Sequence, residues 1–427
     1  LHYLDAEGER LLVPGFNDPL VLVSPSGEWV AYRKDDESNG ARGDVIAIVP
    51  TAGGEGRELV ATGELLYPDG FEVPFPEPNL RLLSLIEWSP TADVLFLTTF
   101  VAPAPGTEST EPPVMLDDLW AIDVESAEAT EILAPGDGGQ FVLSPDGLKI
   151  AVTQSGWDGD GDALLAVSNS DGSDRRELLR FPRAGQDPEA KMYARPQWSM
   201  DGSNLVLATF QQETGIEDFD SSALDLQRVS LDGTVELLGS VPSEALLFKG
   251  PTYFLHVSPG AQMLATVLEQ PPPTPSGESG DQAPTPDTRS ESLRLLVDSL
   301  DAASDWTAVG SYDVASRLTL GDWSPDGERF VYAARRISED PFTVDRGFFV
   351  GRAGHPPLRL VDEDRVMRVS WLGPDHVVML LSDETPILVL ASVDGDLEMI
   401  ARLDEAAGGE RQAYALAVSH PSADPSE

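Results

Sequence analysis

Three aspartates alternate with glycine at Asp158-Gly159-Asp160-Gly161-Asp162. Carboxylates at every second position, on a backbone that glycine frees to turn, are a donor pattern for a hard cation. Calcium takes six to eight oxygens, and such a loop can fold three carboxylates round one ion. Asp158, Asp160 and Asp162 are therefore the candidate Ca2+ ligands. The competing reading is a solvated acidic loop, because Leu164, Leu165 and Val167 return at once to a strand pattern. Asp35-Asp36-Glu37 and Glu217, Asp218 and Asp220 are weaker candidates of the same kind.

Other chemistry is narrowed by what the chain lacks. With no cysteine there is no disulfide framework, thiol nucleophile or Cys-ligated zinc. A phosphate-cradling glycine loop, a nucleophile elbow and a His-Glu-x-x-His zinc motif are absent, and the histidines (His2, His256, His355, His376, His420) are scattered. No catalytic or cofactor-binding residue is assigned from motifs. A net charge of -45 repels phosphate backbones and excludes nucleic acid as a partner of a basic footprint. It suits solubility, divalent metals and cationic partners. No apolar run approaches the roughly 20 residues of a membrane-crossing helix. The chain starts at Leu1 with neither initiator Met nor signal-peptide pattern, as expected of a trimmed or processed product.

The acidic loop sits inside a repeat, and the repeat explains what must position it. Seven stretches share one pattern: Val21–Arg33, Ile86–Phe100, Phe141–Gln154, Pro196–Phe210, Leu255–Leu268, Gly321–Arg336 and Val369–Asp383. Each is an apolar strand, a Ser-Pro-Asp-Gly turn or a variant of it, and a second alternating strand. Proline presets the turn, aspartate bonds back to the main chain, and glycine takes the positive φ that closes a hairpin. Alternation with period two marks half-buried strands. Trp88, Trp198, Trp323 and Trp371 precede four of the turns, where a large flat ring suits packing between stacked sheets. His256 lies just before the turn of the fifth copy and reads as a packed strand residue.

A second hairpin follows each motif, so each repeat is four antiparallel strands, A to D. Four-stranded units repeated in series predict an all-β fold, a β-propeller that protects its edges by radial closure. The expectation is one propeller domain over 1–427, with blades at 19–61, 82–134, 140–180, 194–239, 253–311, 317–361 and 366–402. Residues 1–13 and 413–427 read as terminal closure strands. They leave open a composite eighth blade beside the seven full ones.

The Ser-Pro-Asp-Gly hairpin, preceded by Trp and followed by an apolar strand, resembles the WD40-like repeat of TolB-type propellers over nearly the whole chain. That resemblance implies the fold. For function it implies several roles: periplasmic scaffolds, propeller domains of prolyl-oligopeptidase-like enzymes, and extracellular or sensor modules of bacterial membrane proteins. Fold alone does not choose among them.

In such a blade the A–B and C–D turns lie at one end, the B–C and D–A connections at the other. Here the long connections are all of the second kind: Lys34–Gly43, Gly63–Asn79, Val101–Asp117, Phe181–Tyr193, Gln211–Ser222, Ser240–Thr252, Glu269–Ser290 and Ile337–Arg346. Insertions gathered at one end mark a binding face. Gln270–Ser292 and Val101–Pro113 are Pro/Ser/Thr-rich and are expected to be extended. The expected function is a non-enzymatic, extracytoplasmic, bacterial binding or scaffold module that engages a protein or peptide through its B–C and D–A loops. Two alternatives stand beside it: a metal-assisted hydrolase or lyase with its site at the channel mouth, and the sensor domain of a larger membrane-anchored protein.

Overall fold

The computed structural model describes residues 2–5, 8–13, 20–34, 43–73, 79–104, 112–154, 163–181, 191–193, 196–211, 223–242, 255–258, 263–270, 292–299, 307–313, 318–337, 344–352, 355–362, 365–382 and 387–402. Among them the strands form a two-stranded sheet and seven antiparallel sheets of four or five strands. The chain divides into two compact units, Leu1–Arg180 with Gly409–Glu427, and Phe181–Gly408.

In the first unit His2–Asp5 pairs with Gly8–Leu11. The first sheet follows, with strands A to D at Val21–Val23, Trp29–Lys34, Val45–Pro50 and Arg57–Ala61. The second has Asn79–Trp88, Val94–Pro103, Leu119–Asp123 and Ala129–Leu133; the third has Gln140–Leu143, Lys149–Gln154, Ala163–Asn169 and Arg176–Phe181. In the second unit the fourth sheet comprises Gln197–Trp198, Asn204–Gln211, Ala223–Ser230 and Val235–Pro242. The fifth comprises Leu255–Val257, Met263–Gln270, Ser292–Ser299 and Thr307–Asp313. Leu318–Trp323, Arg329–Ile337, Val344–Arg352 and Leu358–Val361 make the sixth, and Val366–Trp371, His376–Leu381, Ile387–Ser392 and Leu397–Arg402 the seventh. Each is an A-B-C-D meander, the topology of a propeller blade.

Two sheets depart from the four-strand expectation, both inside connections read as loops. Val114–Met115 adds to the second sheet, in register Phe100↔Met115 and Val101↔Val114. Strand B there runs past its pairing with strand C and would otherwise leave main-chain donors and acceptors open. Lys191–Tyr193 adds to the fourth sheet against Thr209–Gln211.

Within each unit, neighbouring sheets bury one face against the next at three places. Ala31, Ile46 and Ile48 of the first sheet pack with Ile86, Leu95, Leu97, Trp120 and Ile122 of the second. Phe96, Leu119 and Leu133 of the second pack with Phe141, Ile150 and Val152 of the third. In the other unit Val331, Phe348, Val350 and Leu360 meet Trp371, Val377, Met379 and Val389. Full burial of each Val, Leu, Ile, Phe or Met among them contributes roughly 1.5–3 kcal/mol. Three of the four motif tryptophans, Trp198, Trp323 and Trp371, are buried as expected, and Trp88 is half-buried against the first core. The Trp371 indole N–H also donates to the Asp322 carbonyl of the preceding sheet at 3.0 Å.

Candidate functional site

The two ends of the sheets are organised differently, beginning with the turn end. The motif serines Ser24, Ser89, Ser144, Ser258 and Ser324 are buried. In the third sheet the Ser144 hydroxyl donates to Asp146 Oδ1 at 2.5 Å and accepts the Lys149 N–H at 2.9 Å. Asp146 accepts the Leu148 N–H at 3.0 Å, and Gly147 donates back to the Ser144 carbonyl. Ser199, Asp201 and Asn204 repeat this arrangement, as do Ser324, Asp326 and Arg329. Hydrogen bonds from Ser144 first, and then Leu148, hold the Asp146 carboxyl below its usual value. Those from Ser199 and Ser203 lower Asp201 to about 2. The first sheet carries Ser26 in place of the aspartate, and its hydroxyl reaches the next sheet to donate to Asp93 Oδ2 at 2.8 Å. Thr91 of the second sheet bonds the Asp146 carbonyl of the third in the same direction. These aspartates are spent on closing turns.

At the loop end of the second sheet lies a cluster that no sequence motif marks. Arg81 on strand A and Asp118 just before strand C are 3% and 0% exposed. Arg81 Nη2 donates to Asp118 Oδ2 at 2.5 Å, Nε to Thr99 Oγ1 at 2.9 Å, and Nη1 to the Leu65 carbonyl at 2.9 Å. Asp118 Oδ2 also accepts from the Thr99 hydroxyl and the Trp120 indole, at 2.6 and 2.9 Å. Its Oδ1 takes the Thr99 N–H at 2.7 Å. The rings of Tyr67 and Trp120 lie 4.6 and 5.2 Å from the guanidinium carbon. Tyr67 stacks on Phe71, and both pack with Val73 against Val101 and Leu116. Burial pushes the Tyr67 phenol above its ordinary value, with Arg81 acting against the rise. Burial also raises Glu131 on strand D, while Arg81 opposes and Asp118 reinforces the shift.

The cluster fastens the segment 62–73, a connection between the first and second sheets, onto strand A. Thr62 Oγ1 donates to the Arg81 carbonyl at 2.7 Å, and Asp44 accepts the Leu83 N–H at 2.8 Å. Gly43 ends the B–C connection of the first sheet at φ 77°, and a side chain there would collide with the Arg81 carbonyl and Thr62. On the far side Gly138 passes so close to the Asp117 and Asp118 carbonyls, at 2.6 and 2.8 Å from an added Cβ, that only glycine fits. Every guanidinium nitrogen and both carboxylate oxygens are engaged, so this cluster positions chain and does no chemistry of its own. Its signal in the sequence is a charge inside an apolar strand, Arg81 within Asn79–Trp88, and an aspartate directly ahead of Leu119-Trp120.

Asp158, Asp160 and Asp162 lie outside the described residues, as do Asp35, Asp36 and Glu37, and Glu217, Asp218 and Asp220. The same holds for residues 105–111 and 271–291 of the two Pro-rich connections, for His420, and for the closure strand at 413–427. Among the described residues no group of three His, Asp or Glu side chains could hold a metal. His355 and His376 are exposed and far apart in the chain. His256 lies on a strand as expected.

No protein-family model matches the chain. No curated protein matches it either. Solved structures do. An oligogalacturonate lyase in complex with manganese is 17% identical, with a TM-score of 0.44, covering 72% of this chain and 74% of that one. The β-propeller domain of the trilobed protease from Pyrococcus furiosus is 12% identical, with a TM-score of 0.43, covering 75% and 83%. TolB from Acinetobacter baumannii is 11% identical, with a TM-score of 0.30, covering 76% and 69%. TolB and other propellers are thus among the neighbours. At such TM-scores the blade topology rests on the strand pairing itself, and nothing about activity follows.

Proposed function

We propose that this chain is a non-enzymatic binding or scaffold β-propeller of the TolB-like kind, extracytoplasmic, holding a protein or peptide partner on its loop-rich end. In this reading each four-stranded sheet is one blade of the propeller. The observation that supports it is the asymmetry between the ends. One end is closed by short turns that bond to themselves and to the next sheet. The other carries the long connections, and a buried ion pair at the second sheet fastens one of them, the segment 62–73. A fold that fixes loops on a rigid support is built to present them.

The test compares two variants of the purified chain. In one, residues 105–111 and 271–290 are shortened to Gly-Ser linkers. In the other, Leu148→Asp and Met200→Asp alter side chains exposed at the turn end. Each is immobilised, crosslinked in the extracytoplasmic fraction of the source organism, and compared with the unaltered protein. A partner retained by the turn-end variant and lost from the loop-end variant is the expected result. A partner lost only from the turn-end variant would overturn the reading. Turnover of an added polymer by the unaltered chain would replace binding with catalysis.

A further inference from the structure

The outer strand of the seventh sheet, Leu397–Arg402, has a described neighbour on one side only, Ile387–Ser392. It differs from its counterpart in the first sheet. There Leu59, Val60 and Ala61 are 7%, 9% and 1% exposed; here Leu397, Met399 and Ile400 are 50%, 53% and 42% exposed. Met399 and Leu397 sit opposite Val389 and Ala391, which belong to the core shared with the sixth sheet. Cross-strand partners project from the same face. The core stripe therefore runs out to the rim and ends uncovered. A register shift between Leu388 and Val389 leaves Ile400 as an extra residue, adding a third apolar side chain to the outer strand.

Natural edge strands are blunted by charge of the kind a neighbour would reject, by shortness, or by cover. The sixth sheet follows that rule: its outer strand has four residues, and Arg359 on it pairs with Asp362 at 2.6 Å. The seventh carries mostly one sign of charge. Asp394, Asp396 and Glu398 are exposed along the strand and its lead-in turn, and the one Lys or Arg between Gly373 and the end of the strand is Arg402 at its far end. Two such edges brought together would set like charges against each other, in a chain that already carries -45. A second copy is thereby disfavoured, and a cationic strand is favoured.

We propose that Leu397–Arg402 is a docking strand for an extended partner segment in which Lys or Arg alternates with β-branched apolar residues. The segment adds to the seventh sheet as a further strand. Main-chain hydrogen bonds to the open edge supply affinity, and alternate side chains supply selectivity. The apolar ones lie along Leu397, Met399 and Ile400, and the cations face Asp394, Asp396 and Glu398. This surface is separate from the loop-rich end and stands whether or not that end binds anything.

The probe is a labelled Lys-Val-Lys-Ile-Lys-Val-Lys peptide, with Glu-Val-Glu-Ile-Glu-Val-Glu as its charge-reversed control. Binding is read by fluorescence anisotropy and by amide hydrogen exchange of the full chain. The lysine peptide is expected to bind and to slow exchange in residues 397–402, and the glutamate peptide to do neither. The variant Leu397→Ser with Met399→Ser should weaken the lysine peptide by about tenfold, and Asp396→Asn with Glu398→Gln by several-fold. All four positions are exposed, and a thermal melt confirms that both variants fold. Adsorption unaffected by either variant, with no slowing at 397–402, would show general attraction to an acidic surface and overturn the proposal. So would the absence of binding. Self-association that disappears in the serine variant would assign the strand to a second copy instead.

Discussion

The two ends of the second and third sheets use one chemical device, a carboxylate that accepts several hydrogen bonds, at very different depth. At the loop end Asp118 is wholly buried and bound to Arg81, Thr99 and Trp120. At the turn end Asp146 is exposed and bound to Ser144 and Leu148. A buried pair gives little net stability when intact, because desolvating two charges offsets most of their attraction. Losing one partner is costly, since the other charge is left dry. An exposed carboxylate is re-solvated when its partner goes. The loop end is thus set all-or-none, and the turn end is tuned in small steps that the repeat multiplies.

The largest effect should follow from breaking the buried pair. Asp118→Ala is expected to cost about 3–5 kcal/mol in urea unfolding, because Arg81 keeps its charge with no carboxylate opposite. The double variant Arg81→Met with Asp118→Leu should lie closer to the unaltered protein than Asp118→Ala does. A double variant as unstable as the single one would mean that packing of Tyr67 and Trp120 against the guanidinium, rather than charge pairing, holds the segment 62–73.

Calcium is the next lever, and it could break the contrast from the loop side. If Asp158, Asp160 and Asp162 hold an ion, calcium at about 100 times its dissociation constant stabilises the folded state by about 2.7 kcal/mol. The expected outcome is a rise in melting temperature after chelation and calcium addition, abolished by Asp158→Asn, Asp160→Asn and Asp162→Asn together. No rise would leave that stretch as a solvated B–C connection, and Asp118 as the measure of what a loop-end carboxylate does here.

The repeat was legible because each strand pair and its turn are local: Ser144 to Lys149 contains both the hydrogen-bond donors and the acceptors that close the hairpin. The placing of long connections at one end followed from counting strands. The Arg81 cluster was not legible. Its members, Leu65, Arg81, Thr99, Asp118 and Trp120, lie on three strands and two connections, so only the register of the sheet brings them together. A charged residue in an apolar strand says that a partner exists and does not say which. The short strand Val114–Met115 escaped for a similar reason: two residues carry no period, and their pairing depends on where strand B outruns strand C.

Smaller effects belong to the turn end, where Ser144→Ala removes a buried hydroxyl and leaves the Lys149 N–H without its acceptor. About 1.5 kcal/mol is expected in urea unfolding, well short of Asp118→Ala. A loss matching that of Asp118→Ala would erase the distinction between the two ends.

The smallest effect is a pH dependence, and its sign follows from Asp201. The folded carboxyl lies at about 2, lowered chiefly by the Ser199 and Ser203 hydroxyls, against roughly 3.9 in an unfolded chain. A depressed folded value means that the unfolded state takes up its proton first as pH falls. The stabilisation is therefore complete above the unfolded value and is lost as pH drops towards the folded one. Asp146 shifts in the same direction for the same cause. Asp201→Asn should thus narrow its gap from the unaltered protein as pH falls from about 5 to about 2, in chemical denaturation at each pH. Taking the difference between the two proteins cancels the other carboxylates. A gap that stays constant across that range would mean that the turn is held by main-chain geometry alone, with the repeated aspartate contributing hydrogen bonds but no charge.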